Sequence, residues 1–243
     1  MNLDERMKRY EATTNICLTR RMPVVMRFDM KAGHTFTRGL TKPFDNVYVQ
    51  AMQQTMEALC KDIQGCVFGY TQSDEISLVL IDYQTLETDA WFDYRLEKIC
   101  SIGASKATRY FNKFFYQITC DMVPSNFEIY KKKFWEAEFD CRAFNVPKED
   151  VCNCILWRQQ DAEKNSVQSL AQSLFSQSEL NGVNNKALQD KMFTEKDVNW
   201  NDMQTYLKRG SACKKNDEGK WYIDYDMPIL SRNREYLEST IML

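Results

Sequence analysis

Three carboxylates stand where the chain changes direction. Asp29 closes the run PVVMRFD, and Asp74 and Glu75 end the stretch TQSDE. Carboxylates brought together repel unless a cation neutralises them, and hard oxygen ligands beside phosphate favour Mg²⁺. Two such ions about 3.5–4 Å apart can clamp the attacking and leaving oxygens of a phosphoryl displacement. The residues leave a second reading open, with Asp29 capping a loop and Asp74 and Glu75 as ordinary turn residues.

The loop after Asp29, MKAGHTFTRGLTKPFD, carries the only histidine, His34, with Lys31, Arg38 and Lys42. Backbone N–H groups around Ala32 and Gly33, and a helix N-terminus, can hold phosphate oxygens. The cations would add charge-assisted bonds.

These residues need a frame. A helix is expected over 4–15 and a buried strand over 23–29. Asp45 is an N-cap candidate for a helix over 46–63, where Val47, Met52, Met56, Leu59 and Ile63 recur at helical spacing and Gly65 sits at the C-cap. CVFGY (66–70) and ISLVLI (76–81) predict a hairpin, a long helix covers about 90–118, and FDCRAFNV (139–146) is a fourth strand. The order β-α-β-β-α-β is the ferredoxin-like unit, also the core of polymerase palms, so the fold class is α+β. Its strand order, 4-1-3-2, puts the end of the first strand beside the start of the third. Asp29, Asp74 and Glu75 should therefore meet at one sheet edge.

Beyond residue 150 the pattern is mostly helical. One long helix over 151–175, broken near Asn165, is followed by short pieces over 180–210 and a late strand within 221–230. Residues 1–150 are thus expected to form a catalytic domain, with 151–243 a helical extension packed on it.

A formal net charge of −2 over 243 residues confines any phosphate-binding surface to local patches such as Arg20-Arg21, Lys131-Lys132-Lys133 and Lys214-Lys215. Nine cysteines without metal-ligand spacing and one histidine argue against structural zinc. The charged N-terminus and the lack of an apolar run near ~20 residues point away from a signal peptide or membrane span, toward a reducing cytoplasm.

RFDMKAGHTFTRGLTKPFD, GYTQSDEISLVL, FDCRAFNVP and WRQQDAEKNS, in this order between about residues 23 and 210, closely resemble successive blocks of tRNA-His guanylyltransferases and their bacterial and phage-like relatives. The resemblance implies a palm-like nucleotidyltransferase with two Mg²⁺ ions (Mn²⁺ can substitute). Such an enzyme activates a tRNA 5′-phosphate with ATP or GTP and then extends it in the 3′–5′ direction, and the family suggests a homotetramer. Asp29 and Asp74 match metal ligands, with Glu75 beside them and the Met30 backbone carbonyl as a further ligand. His34 and Lys42 match phosphate contacts, Ser73 lies in the same turn as Asp74, and Asp45 matches a position near the base. Arg95 and Lys98 match residues placed for a second triphosphate. Arg27, Asp140, Arg142, Arg158, Asp161 and Asn165 occupy the remaining motif positions, tRNA contacts among them.

Two departures stand out. Met30 replaces the family glycine, where a positive φ would strain a side chain or crowd the metal, with Gly33 a source of compensating freedom. Glu163, Lys164, Asn165 and Ser166 replace the His-Ile-Asn-Asn stretch of enzymes dedicated to tRNA-His. That loss resembles the guanylyltransferase-like proteins that repair 5′-truncated tRNAs on the opposite strand as template. Addition of a single G, a palm-fold nucleotide cyclase and a non-catalytic RNA binder are the alternative readings.

Overall fold

The computed structural model describes residues 1–242. After α1 (Leu3–Glu11), whose Asn2 and Glu5 form a capping box, the chain makes a short 3₁₀ turn and enters β1 (Val24–Met30). A four-residue helix, α2 (Gly33–Phe36), leads to α3 (Asn46–Asp62), β2 (Cys66–Gln72) and β3 (Glu75–Leu80). Then follow α4 (Leu96–Met122), α5 (Phe127–Lys131) and β4 (Phe139–Asn145). The second half holds α6 (Val151–Leu174), α7 (Gln177–Leu180), α8 (Asn185–Lys196), α9 (Thr205–Arg209), the hairpin β5 (Ser211–Lys215) and β6 (Trp221–Asp224), and α10 (Glu235–Ile241). None of the described helices is long and apolar enough to cross a membrane.

One six-stranded antiparallel sheet runs in the order β4-β1-β3-β2-β5-β6. Its first four strands have the ferredoxin-like arrangement expected from the element order. Because side chains alternate along a strand, the sheet has two unlike faces. Val24, Met26, Phe28 and Met30 join Ile76, Leu78 and Leu80 in a core with residues of α3 and α4. Val25, Phe68, Tyr70 and Val79 join Val151, Cys152 and Ile155 of α6 and Leu237 and Ile241 of α10. Arg27 and Asp29 continue that second face toward the sheet edge, where apolar residues give way to charge.

Several elements differ from the sequence reading. The helix expected over 90–118 begins at Leu96, because Phe92, Asp93 and Tyr94 adopt positive φ. That kink buries Tyr94, whose carbonyl accepts from the Leu18 N–H at 3.0 Å. Helix α6 runs unbroken through Asn165. The late strand stops at Asp224, whose carboxylate turns back to accept from the Asp226 N–H at 2.9 Å. Strand β5 lies just past the short pieces expected over 180–210, in a stretch to which the sequence pattern assigned no element. It pairs with β2, so the second half extends the sheet as well as covering it.

A buried ion pair ties α6 to the β2–β3 hairpin. Arg158 Nη1 donates to Glu75 Oε2 at 3.0 Å, and the residues are 8 % and 6 % exposed. Removing one partner of such a pair strands the other charge at a cost of about 3–5 kcal/mol, whereas replacing both by apolar groups of similar shape can be neutral. Denaturant unfolding of Arg158→Ala should therefore show a loss of about 3–5 kcal/mol, and Arg158→Met/Glu75→Leu a much smaller one. A loss below about 1 kcal/mol for Arg158→Ala would show that the pair does not hold α6 in place.

Candidate active site

The β1–β3 register sets Asp29 directly opposite Glu75, and the β1–β4 register sets it opposite Asp140. Residues opposite one another share a face, so three carboxylates line one sheet edge. Asp74 completes the group from the two-residue turn that joins β2 to β3. Its carbonyl accepts from the Met30 N–H at 3.0 Å, which fixes the turn against the end of β1. Ser73 takes the left-handed conformation that this tight turn demands.

The four acids have different surroundings. Glu75 is bound to Arg158, yet burial still pushes its carboxyl above the usual range against the pull of that guanidinium. Asp29 lies 3.3 Å from Arg142 Nη2 and 3.7 Å from Arg27 Nε, and Arg142 also lies 3.4 Å from Asp140. Asp74 forms no ion pair among the described residues. Burial raises its pKa, and the like charge of Asp29 raises it further. A half-buried carboxylate without a cation, facing a second carboxylate, fits a hard divalent ion. Asp29, Asp74 and the Met30 carbonyl are the residues that would hold it.

Gly33 explains how the acid fits. A Cβ there would stand 2.2 Å from Asp74 Oδ2, so the missing side chain makes room for the carboxylate. The left-handed residue in this loop is Ala32, at φ 54°. Met30 is absent from the positive-φ residues, is the last residue of β1, and sends its side chain into the core, where Tyr48 Oη approaches its sulfur at 3.8 Å. The strain expected at Met30 therefore does not arise, and Gly33 supplies space rather than conformational freedom. The backbone N–H groups of Ala32, Gly33 and His34 donate no hydrogen bond among the described residues, while the Lys31 N–H donates to the Glu138 carbonyl at 2.8 Å.

Beside this edge lies a cavity of about 410 Å³. The loop from His34 to Asp45 forms one wall, Thr71, Gln72 and Ser73 the floor, and residues of α6, α9 and β5 the far side. His34, Lys42, Asp45, Ser73, Asn165 and Ser166 line it, as do Gln53, Tyr206 and Ser211, which the sequence reading did not single out. A signal for the last of these existed, since Asn216 to Gly219 form a turn between two runs of strand length. Asp45 lines the cavity as a structural acid. It caps α3 by accepting from the Tyr48 N–H at 2.9 Å, accepts from the Thr41 N–H at 3.0 Å, and is bonded by the Tyr130 hydroxyl.

Other candidates fall outside the cavity. Lys31 is paired with Glu138 at 2.6 Å on the open surface near Arg109. Arg95 and Lys98, at the start of α4, line a separate pocket of about 240 Å³ with Asn15 and Ser101. That pocket lies at the far end of β3 from the carboxylates. Arg158, committed to Glu75, also lies 3.5 Å from Asp161, and its guanidinium sits over the Trp157 ring. Glu163 is turned toward Arg209 of α9 at 3.3 Å.

Residues 4–147 match the family model for tRNAHis guanylyltransferase. A solved bacterial tRNA-His guanylyltransferase-like protein in complex with ATP is similar over the whole of both chains, at 41 % identity and a TM-score of 0.90. Another, in complex with GTP, is 37 % identical with a TM-score of 0.82 and 99 % coverage of both chains. A probable tRNA(His) guanylyltransferase of Dictyostelium discoideum is 25 % identical over 79 % of this chain and 75 % of its own.

Two outcomes follow from this geometry. Gly33→Ala should displace the Asp74 carboxylate and lower nucleotide-transfer turnover by about 100-fold, the usual effect of a misplacement near 1 Å, with the unfolding midpoint little changed. Unaltered turnover would mean that the carboxylate position is not limiting. The raised Asp74 pKa also carries a sign. When a carboxyl's pKa is higher folded than unfolded, its ionisation destabilises the fold; the effect is absent below the unfolded value and complete above the folded one. In chelator, wild-type stability relative to Asp74→Asn should thus fall as pH rises from the ordinary carboxylate range through the raised value. Thermal unfolding across pH, with and without Mg²⁺, checks this, and parallel curves for the two proteins would contradict it.

Proposed function

Because the chain belongs to the tRNAHis guanylyltransferase family and is a nucleotidyltransferase, we propose that it adds nucleotides to the 5′ end of truncated tRNA in the 3′–5′ direction, directed by the opposite strand. The observation that carries the reading is the meeting of Asp29 and Asp74 at one sheet edge beside a cavity large enough for a nucleotide. The ATP and GTP held by the two bacterial relatives support triphosphates as its substrates.

In this reading the unbonded N–H groups of Ala32, Gly33 and His34, with the Lys42 ammonium, hold triphosphate oxygens. Bound Mg²⁺ would neutralise the triphosphate and polarise the reacting phosphoryl group. The chain's own part is positional: Asp29 and Asp74 fix the reacting edge, the Glu75–Arg158 pair holds the hairpin and α6 together, and Asn165 and Ser166 close the far wall. Arg27 and Arg142 stand around that edge as candidate contacts to the RNA phosphates, which fix position rather than sequence, and Asp161 is a candidate acceptor for a ribose hydroxyl. Arg95 and Lys98, remote from the carboxylates, are candidates for a second triphosphate arriving from another direction. A homotetramer in the cytoplasm completes the reading.

Template direction is favoured over single-G addition by Glu163, whose pairing with Arg209 leaves no imidazole at that position. Base pairing then carries the sequence information, and the protein needs mainly shape and phosphate contacts. With Mg²⁺, all four triphosphates and tRNAs lacking the first 5′ nucleotide, the added base should complement each of the four opposing bases, and Asp29→Ala/Asp74→Ala should add none. Addition of G whatever the opposing base would replace this reading with single-G addition. Cyclic nucleotide formed without RNA would replace it with a cyclase.

A further inference from the structure

An aromatic and basic strip leads away from the carboxylate edge along α4. It starts in an open depression lined by Lys31, Arg109, Glu138 and Asp140, the last of these opposite Asp29 in the sheet. Arg109, Lys113 and Tyr116 follow at helical spacing on one face of α4, over about 10 Å of helix. At the end of that row the Tyr116 ring stacks on Trp135, with centroids 5.4 Å apart and planes within 29°. Trp135 is 61 % exposed and Tyr116 40 %.

Neither ring is there by default. Trp135 holds φ at 68°, a conformation that bulky side chains rarely adopt. Phe134, its neighbour, turns the other way and packs edge-on against Phe115, Tyr116 and Phe127. The segment is thus anchored by Phe134 while Trp135 faces solvent. Part of the strip's positive charge has no carboxylate partner, with Arg109 lying over the Tyr110 ring and Lys113 over the Phe114 ring. Lys31, Lys106 and Lys131 are paired with Glu138, Asp62 and Glu128. Arg109, Lys113 and Lys132 enter no ion pair among the described residues and are exposed.

Cations spaced along a track that ends on an exposed stacked ring pair are the features by which proteins hold single-stranded nucleic acid. We propose that this strip binds the unpaired 3′ strand that continues past the 5′ end under repair, with a base stacked on Trp135. The proposal rests on the tRNA reading above. A duplex whose 5′ end reaches Asp29 and Asp74 must release its partner strand close by, and the strip begins at that point. A second copy of the chain would also find an apolar ring here, but the unpaired cations favour a polyanion.

The test compares wild type, Trp135→Ala, Trp135→Phe and Lys113→Ala by fluorescence anisotropy. The probes are a 5′-truncated tRNA with its unpaired 3′ nucleotides and the same tRNA trimmed to a blunt acceptor end. Wild type should bind the extended tRNA more tightly. Trp135→Ala should lose roughly ten-fold for the extended tRNA and nothing for the blunt one, with Trp135→Phe largely restoring the loss. Lys113→Ala should weaken binding of the extended tRNA and reduce its salt dependence. ATP binding and the molar mass from light scattering should be unchanged in all four. Equal affinities of wild type and Trp135→Ala for the extended tRNA would overturn the proposal, as would a loss shared by both probes. A drop in molar mass for Trp135→Ala would assign the ring pair to a subunit interface instead. If wild type binds ATP but neither tRNA, the tRNA reading itself fails and the strip loses its ligand.

Discussion

Everything at the site depends on the pairing of β1 with β3. Register in a sheet is all or nothing for side-chain direction, since a slip of one residue sends every side chain to the other face. Here the apolar residues on one face of β1 bind it to α3 and α4, so Asp29 has no choice but to face α6 and to lie opposite Glu75. The Met30–Asp74 hydrogen bond then locks the hairpin turn onto the end of the same strand. The carboxylates are thus brought together by apolar packing on the opposite face of the sheet.

That placement stores electrostatic work. Asp74 is half-buried next to a like charge, while its neighbour Glu75 has a guanidinium. Arg158 thereby does two things at once: it lets Glu75 be buried, and it fastens α6 over the sheet edge. Through α6 the second half of the chain gains a defined position, and with it the far wall of the cavity. The division into a catalytic core and an appended extension is therefore blurred at the sheet, where β5 continues the pairing of β2. Gly210, at φ 85° and with no room for a Cβ beside the Thr71 carbonyl, marks how tightly the second half is drawn in.

The sequence carried the core well because its signals are local and redundant. Apolar alternation in PVVMRFD, helical spacing from Val47 to Ile63 and a turn at Ser73 each point to one element, and their order leaves one common strand arrangement. It carried the far side poorly. Strand β5 is SACKK, whose small and charged residues have little strand character of their own. It is a strand because Gly69 and Tyr70 offer it a partner. The Met30 departure was misjudged for a related reason: the residue looked like a loop position, but the β4 pairing extends β1 by one residue and turns the side chain inward. Asp45 and Glu75 were legible as acids, yet not as acids already satisfied by Tyr130 and Arg158, since those partners stand 85 and 83 residues away in the chain.

The central claim is that Asp29 and Asp74 form a divalent-cation site that serves nucleotide transfer. Electron paramagnetic resonance of bound Mn²⁺, titrated with and without GTP, tests it without relying on turnover. The account predicts tight Mn²⁺ binding that reaches two ions per chain with GTP present, and loss of protein-held Mn²⁺ in Asp29→Asn/Asp74→Asn. Equal Mn²⁺ binding by the wild type and that double variant would contradict it.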